Sequence, residues 1–423
     1  MEAVRFVWML TLFSALSGCF VWSGIDDPNG GSGTNRLIPE RPPADTSSDA
    51  DSQTLSLAAY DIEMIQEGDR WREVGYDLDG VATYKEGDPI SCNSPDPERP
   101  PPEDGHNGID NQFGAKVTPL LKFVLPTAIC EMSGSHFAGY GTFIATIEKW
   151  NGTPNDARIT AYISSAVNGV ATPDGVEPDP DSLAWEPRED GDGYELLVDG
   201  EPAKPPCFDG NDFFYPSSHD TLMRQPDGDG NRVPRVIDTE AYIVDNTIVA
   251  RVPTGHQLTI MSLFRSLPAR ISAGYIIAQF DENYERVEKG TLVGRFNQSN
   301  ISDVAANIGA CNEALLGPFR SIIRSSVDIM TDPTRDNMNE TCDAISVGIE
   351  FKAVRVNVAS MVGPEWGPAK RCDFEREWAE NEEDGPLLFG CETTASVYTW
   401  SKEWRDGKMA HCEDGTILSE LRD

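Results

Sequence analysis

Apolar and polar residues alternate with a period of two along much of the central chain, and this alternation predicts strands. In Arg158-Ile159-Thr160-Ala161-Tyr162-Ile163-Ser164 the apolar Ile159, Ala161 and Ile163 share one face. Phe143 to Trp150 precedes that stretch across Asn151-Gly152, a turn-forming pair. Ala241 to Val244 and Thr247 to Ala250 flank Asp245-Asn246, residues that tolerate the positive φ of a two-residue hairpin turn. Further strands are predicted at Gln257 to Phe264, Ile271 to Phe280, Thr291 to Phe296 and Ile345 to Val358. In the last, Ile345, Val347, Ile349, Phe351 and Ala353 take one parity and Val354, Val356 and Val358 the other, which predicts a bulge or an end buried on both faces.

Two helical stretches interrupt this pattern. Ser302-Asp303 caps a segment carrying Val304, Ile308 and Cys311 on one face. Pro318 suits the first turn of a second segment, with Phe319, Ile322, Ile323, Val327 and Met330 turned to a core. Many short strands with frequent Gly and Pro predict a mainly β fold over residues 57–363: an antiparallel β-sandwich of jelly-roll or lectin-like kind with two short helices. Residues 364–423 differ, with the acidic run Glu377 to Asp384 and three cysteines, and are expected to form a disulfide-stapled appendage. Within it Tyr398, Trp400 and Trp404 are expected to close a small core.

The N-terminus carries an address. After Arg5, Phe6 to Leu16 is uncharged and about half the roughly 20 residues a spanning helix needs, as in the apolar region of a signal peptide. Leu16-Ser17-Gly18-Cys19 then resembles the lipobox of bacterial lipoprotein precursors, which implies cleavage after residue 18 and lipid on Cys19. Residues 19–56, rich in Gly, Ser, Pro and Asp, are expected to form a flexible tether.

Cysteine usage points to the same compartment. Setting Cys19 aside leaves eight, Cys92, Cys130, Cys207, Cys311, Cys342, Cys372, Cys391 and Cys412, an even number with no C-x-x-C pair. Four disulfides in an oxidising environment follow as the expectation. Cys311 with Cys342, and two of Cys372, Cys391 and Cys412, are the pairings that spacing suggests. With 70 acidic against 34 basic residues the formal charge is -36, and no basic run exceeds two residues, which argues against nucleic acid as a partner.

An acidic chain attracts cations, and one stretch concentrates suitable ligands. Gly75-Tyr76-Asp77-Leu78-Asp79-Gly80 is followed, beyond Cys92, by Asp104-Gly105-His106-Asn107-Gly108-Ile109-Asp110-Asn111. Calcium takes six to eight oxygen ligands, and Asp-x-Asp-Gly supplies alternate carboxylates on a backbone that turns. Asp77, Asp79, Asp104, Asn107, Asp110 and Asn111 are therefore the candidate ligands, with Cys92 pinning the loop between the two halves. No EF-hand frame can be drawn through them, and the alternative is ordinary Asx-turn chemistry. Asp190 to Gly193 and Asp227 to Asn231 fit hairpin turns.

The pattern DLDG, then Cys, then DGxxGIDN, together with the lipobox and acidic tether, resembles uncharacterised cell-surface lipoproteins of the kind abundant in myxobacteria. The resemblance covers about the first quarter of the chain. It implies an outer-membrane, lipid-anchored location in the cell envelope.

Catalytic signatures are missing from the sequence. The histidines, His106, His136, His219, His256 and His411, form no His-Glu-x-x-His motif, and there is no Gly-x-Ser-x-Gly elbow or phosphate-binding loop. The expected function is a non-catalytic binding or structural module, calcium-stabilised, with a glycan or surface protein as partner beyond the membrane. The alternative is an extracytoplasmic polysaccharide hydrolase, whose cleft would need exposed aromatics beside a carboxylate pair.

Overall fold

The computed structural model describes residues 35–364, except 49, 64–65, 67, 97, 100–101, 121–135, 137, 173, 188–193, 219–233, 254–256, 263–264 and 302–312, and also Cys412. They all fall in the second of the chain's two units, Asn35–Asp423. The strands are β1 (Gln53–Glu63), β2 (Phe143–Trp150), β3 (Asp156–Val170), β4 (Leu183–Pro187), β5 (Tyr194–Val198), β6 (Glu201–Pro202) and β7 (Phe213–Pro216). They continue as β8 (Val236–Val244), β9 (Thr247–Val252), β10 (Gln257–Ser262), β11 (Arg265–Phe280), β12 (Arg286–Asn297), β13 (Ala344–Arg355) and β14 (Asn357–Val358). An α-helix, α1, spans Glu313–Ser325.

Eight of these strands close into a barrel, not the sandwich expected from the sequence. The ring runs β1, β2, β3, β8, β9, β11, β12, β13 and returns to β1, every neighbouring pair antiparallel. Each strand adjoins the next member of the ring in chain order, so the barrel is a meander whose first and last strands meet. Closure is made by β3, which pairs with β2 on one edge and with β8 on the other, Ile159 opposite Ala241 and Ile163 opposite Val236. Its far end, Ala166 to Val170, leaves the ring to pair with β7, and β14 extends that flank. A separate three-stranded sheet is formed by β4, β5 and β6.

Alternation along each strand now has a geometric meaning. On β13, Ile345, Val347, Ile349 and Ala353 are buried in the barrel interior, while Glu350 and Lys352 point outward to ion-pair with Arg70 and with Asp61. Charged side chains thus occupy an outer surface that would be apolar in a membrane barrel. No described helix is long and apolar enough to cross a membrane. The parity switch near Val354 is a doubly buried end: Ala353 faces the lumen, and Val354 and Val356 pack outside with Tyr60, Phe208 and Phe214.

The two mouths are filled differently. At one, Phe319 and Ile323 of α1 meet Phe113, Val117, Phe296 and Met330 in a single cluster with the lower barrel wall. Helix α1 begins at Glu313, so Pro318 stands inside it, not in its first turn. At the other mouth Trp150, Phe280 and Tyr284 stack edge to face. Between the two clusters lies an apolar cavity.

Two further expectations change. Residues 35–48 do not hang free as part of a tether. They run along the barrel, with Arg36 over the Tyr76 ring, Arg41 over Tyr242, and the Tyr242 hydroxyl donating to the Pro39 carbonyl. Cys342 pairs with Cys92, not with Cys311, and Cys412 pairs with Cys207. These pairs join cysteines 250 and 205 residues apart, beyond what local spacing can reveal. The signal peptide and Cys19, the Ser302 helix, Cys130, Cys311, Cys372, Cys391, the acidic run, Trp400 and Trp404 lie outside the described residues.

Candidate functional site

The two Asp-rich segments do meet, and the barrel holds them. The backbone of Gly348 on β13 lies so close to Val74 and Gly75 that a Cβ there would fall 2.5 Å from the Val74 carbonyl oxygen. Gly75 itself adopts φ 130° against Ile109 and Asp110, a conformation suited to glycine. From this anchor Asp77 turns the chain: its Oδ1 accepts from the Gly80 amide at 2.6 Å and from the Asp79 amide at 3.3 Å. Asp79 accepts from Val81 at 2.8 Å, and Asp110 crosses to accept from the Leu78 amide at 2.6 Å. The other oxygen of Asp77 accepts from the Asn35 side-chain amide. Asx-turn chemistry and convergence are still compatible, because each carboxylate oxygen has two lone pairs.

Carboxylate oxygens of Asp77, Asp79 and Asp110 lie within 4.8 Å of one another. Asp104 joins from the second segment, fixed by the Thr83 amide at 2.6 Å. Asp328, which no sequence motif marks, completes the group; it accepts from the amide of Ser346 at 2.8 Å and from its hydroxyl. A void of about 10 Å³, room for a single small occupant, opens between Asp79, Asp104 and Asp328 beside Ser91 and the Cys92–Cys342 disulfide.

Electrostatics within the group are strained in one direction. Burial pushes Asp104 up to about 8, its bond from Thr83 opposing and Asp328, Asp79 and Asp77 adding repulsion. Burial likewise lifts Asp328 to about 7, against the Ser346 bonds. Asp110 rises well above the usual carboxylate range through burial and then the charges of Asp79, Asp104 and Asp328. Burial also raises Asp77 and Asp79, the latter eased by Ser91, Val81 and the Arg295 charge. Arg295 is itself committed: its guanidinium donates to the carbonyls of Met330 and Leu78 and pairs with Asp336 at 2.7 Å. Asp79, Asp104 and Asp328 border the small void and Asp77 and Asp110 stand close to Asp79 outside its lining; these hard carboxylate oxygens, lacking a dedicated counter-charge, suit a divalent cation of calcium type.

The two asparagines have other duties. Asn107 is exposed at φ 57° and turns the chain, its carbonyl accepting from the Arg36 amide at 2.9 Å. Asn111 is fully buried, donates to Gln66, Trp71 and Val74, and accepts from the amides of Gly114 and Gly348. Both ends of its amide are in use, so it ties the loop to β13 and is not a ligand. Arg295 and Asp328 were missed because they stand some two hundred residues further along.

Compared with protein-family models, with curated proteins and with solved structures, the chain matches none.

The second feature is the barrel lumen. Six alanines from six strands, Ala59, Ala145, Ala161, Ala250, Ala278 and Ala353, face it where eight-stranded barrels usually carry larger side chains. They leave a cavity of about 70 Å³. Leu57, Ile163, Ile248, Ile276 and Phe351 complete much of the wall, and among the described residues His136, 1 % exposed, brings the one polar side chain to it.

Proposed function

We propose that this protein is an exported, lipid-anchored module of the cell envelope that binds or braces a partner and does not catalyse, and that calcium holds its Asp77–Asp110 loops against the barrel. The reading is carried by one observation: five carboxylates from three segments converge where burial and mutual repulsion disfavour their charge. Asp77, Asp79, Asp110 and Asp104 are the ligands in this proposal, with Asp328 beside them. Two long-range disulfides support an oxidising compartment, consistent with the lipobox at Cys19.

A polysaccharide cleft has less support. Among the described tryptophans Trp71 and Trp150 are 7 % and 5 % exposed, and Trp185 is half-buried against Tyr215. The clustered acids each hold a backbone or hydroxyl donor. The decisive experiment is thermal melting of the purified protein in chelator and after addition of calcium or magnesium. Calcium should raise the melting temperature by several degrees, and Asp79→Asn should abolish the rise. An identical melting curve in chelator and calcium would end the cation proposal. Mass spectrometry of the mature N-terminus tests the anchor separately, by the acyl mass on Cys19.

A further inference from the structure

We propose that a polar pocket on the outer wall of the barrel, where β2, β3 and β8 meet the chain at Ser47 and Ser48, is a binding site for a sugar acid. The argument rests on this pocket and is independent of the cation. Irregularities in three strands build its wall. The register of β2 against β1 slips between Ile147 and Trp150, both of which turn into the lumen cluster, and Lys149 emerges exposed at φ 60°. The register of β3 against β8 slips between Asp156 and Ile159, where Arg158 stands, and slips back between Asp238 and Ala241, where Thr239 and Glu240 stand. Asp156 fixes the first of these bulges by accepting from the amides of Asn151 at 2.9 Å and Arg158 at 3.1 Å, and Asp238 fixes the second by accepting from the Glu240 amide at 2.9 Å. Arg41 ties the two together by donating to the carbonyls of Ala157 and Glu240. Bulges re-aim side chains and recur beside active sites, and here Lys149, Arg158, Thr239 and Glu240 all line one pocket.

The lining sets the chemistry of the occupant. Among the described residues no side chain pairs with the Lys149 ammonium, and Arg158 brings a second cation to the wall. Thr160, 4 % exposed, lines the pocket with a hydroxyl that no described residue bonds. The hydroxyls of Ser47, which donates to the Arg158 carbonyl, and of Ser48, which accepts from the Ala50 amide, each keep bonding capacity for a ligand. Glu240 accepts from hydroxyls but repels a dianion such as phosphate, so one carboxylate on a hydroxyl-bearing body matches the set. Size agrees. The pocket holds about 290 Å³, roughly twice the ~150 Å³ cavity that takes benzene, and a sugar acid has about twice the heavy atoms of benzene.

The test is a ligand-observed magnetic-resonance titration of the intact protein at constant calcium and low salt, with glucuronate as the probe. Glucuronate should bind saturably, and glucose, which lacks the charge, and acetate, which lacks the hydroxyls, should each bind at least about tenfold more weakly. Lys149→Asn removes the ammonium while keeping a residue that tolerates φ 60°, and should weaken glucuronate at least about tenfold. Arg158→Gln, at an exposed position, should give a loss of the same order and decides the matter if the first variant does not fold. An oligoglucuronate that displaces the monosaccharide identifies the ligand as a unit of a polymer, and one that does not identifies the free sugar acid. No saturable binding of glucuronate, equal binding of glucose or acetate, or undiminished binding in the variants would overturn the proposal.

Discussion

Replacing Arg295 by methionine tests whether the barrel floor and the acidic loop form one structural unit. The Arg295 side chain is 2 % exposed, and its guanidinium reaches Met330 O at 2.8 Å, Leu78 O at 2.6 Å and Asp336 at 2.7 Å. Leu78 stands between Asp77 and Asp79, so this one cation ties β12 to the candidate ligand loop. Removing one member of a buried ion pair costs about 3–5 kcal/mol, because the surviving charge has neither partner nor water. The two carbonyl bonds vanish in the same truncation and are not counted again. At about 2 °C per kcal/mol for a large domain, Arg295→Met should lower the melting temperature by roughly 6–10 °C. Asp336→Asn keeps an acceptor for the Met330 amide but strands the guanidinium. In the double variant no buried charge stands alone, so its cost should fall below the sum of the singles by at least about 1 kcal/mol. Urea denaturation at neutral pH in saturating calcium measures all three. A loss below about 1 kcal/mol for Arg295→Met, or single costs that simply add, would refute the clamp.

Burial pushes Asp212 up to about 7 from an ordinary 3.8, although it accepts from the Cys207 and Phe208 amides. A raised carboxyl contributes stability that is full below about pH 4 and lost as pH rises through 7, on the order of 4 kcal/mol in all. Asp212→Asn should flatten that part of the pH–stability curve, as followed by denaturation across pH 4 to 8. Gly348→Ala drives a methyl into the Val74 carbonyl and should cost about 1–3 kcal/mol while weakening calcium binding, read by paired urea and calcium titrations. Ala278→Ile should stabilise the protein by up to about 1.7 kcal/mol, the cost of a 70 Å³ void at about 24 cal/mol per Å³; urea denaturation checks it.

What the sequence disclosed was local. The Asp245-Asn246 hairpin could be read because both residues tolerate positive φ, and they adopt 49° and 62°. The β2 boundaries followed from alternation and the Asn151-Gly152 turn. Barrel closure could not be read in this way. An inward apolar face and an outward polar one look the same in a sandwich strand and a barrel strand, and the pairing that decides, Ile159 with Ala241, spans some eighty residues. The site divides along the same line. Asp77, Asp79, Asp104 and Asp110 sit in short recognisable patterns, whereas Asp328 and Arg295 arrive only when β12 and β13 are set beside the loop. Asn111 was misjudged for the same reason: the groups that occupy its amide, Gln66 and Gly348, are distant in sequence.

Five converging carboxylates, Asp77, Asp104 and Asp110 buried and Asp79 and Asp328 half-buried, leave few ways to hold their charge in a fixed frame. Spreading the loops apart is resisted by the Cys92–Cys342 disulfide, by the Asn111 knot on Gly348 and by the Arg295 clamp. Two remedies remain, protons or a cation, and they compete for the same oxygens. Calcium binding should therefore expel protons, and its affinity should weaken as the solution is acidified. Calorimetric titration of calcium in two buffers of different ionisation enthalpy counts the protons released. At least about one per ion is expected near neutral pH. Calcium that binds at Asp79 without releasing any proton would mean that the carboxylates are already ionised in its absence, and that the protein tolerates their repulsion by some route other than the one argued from burial.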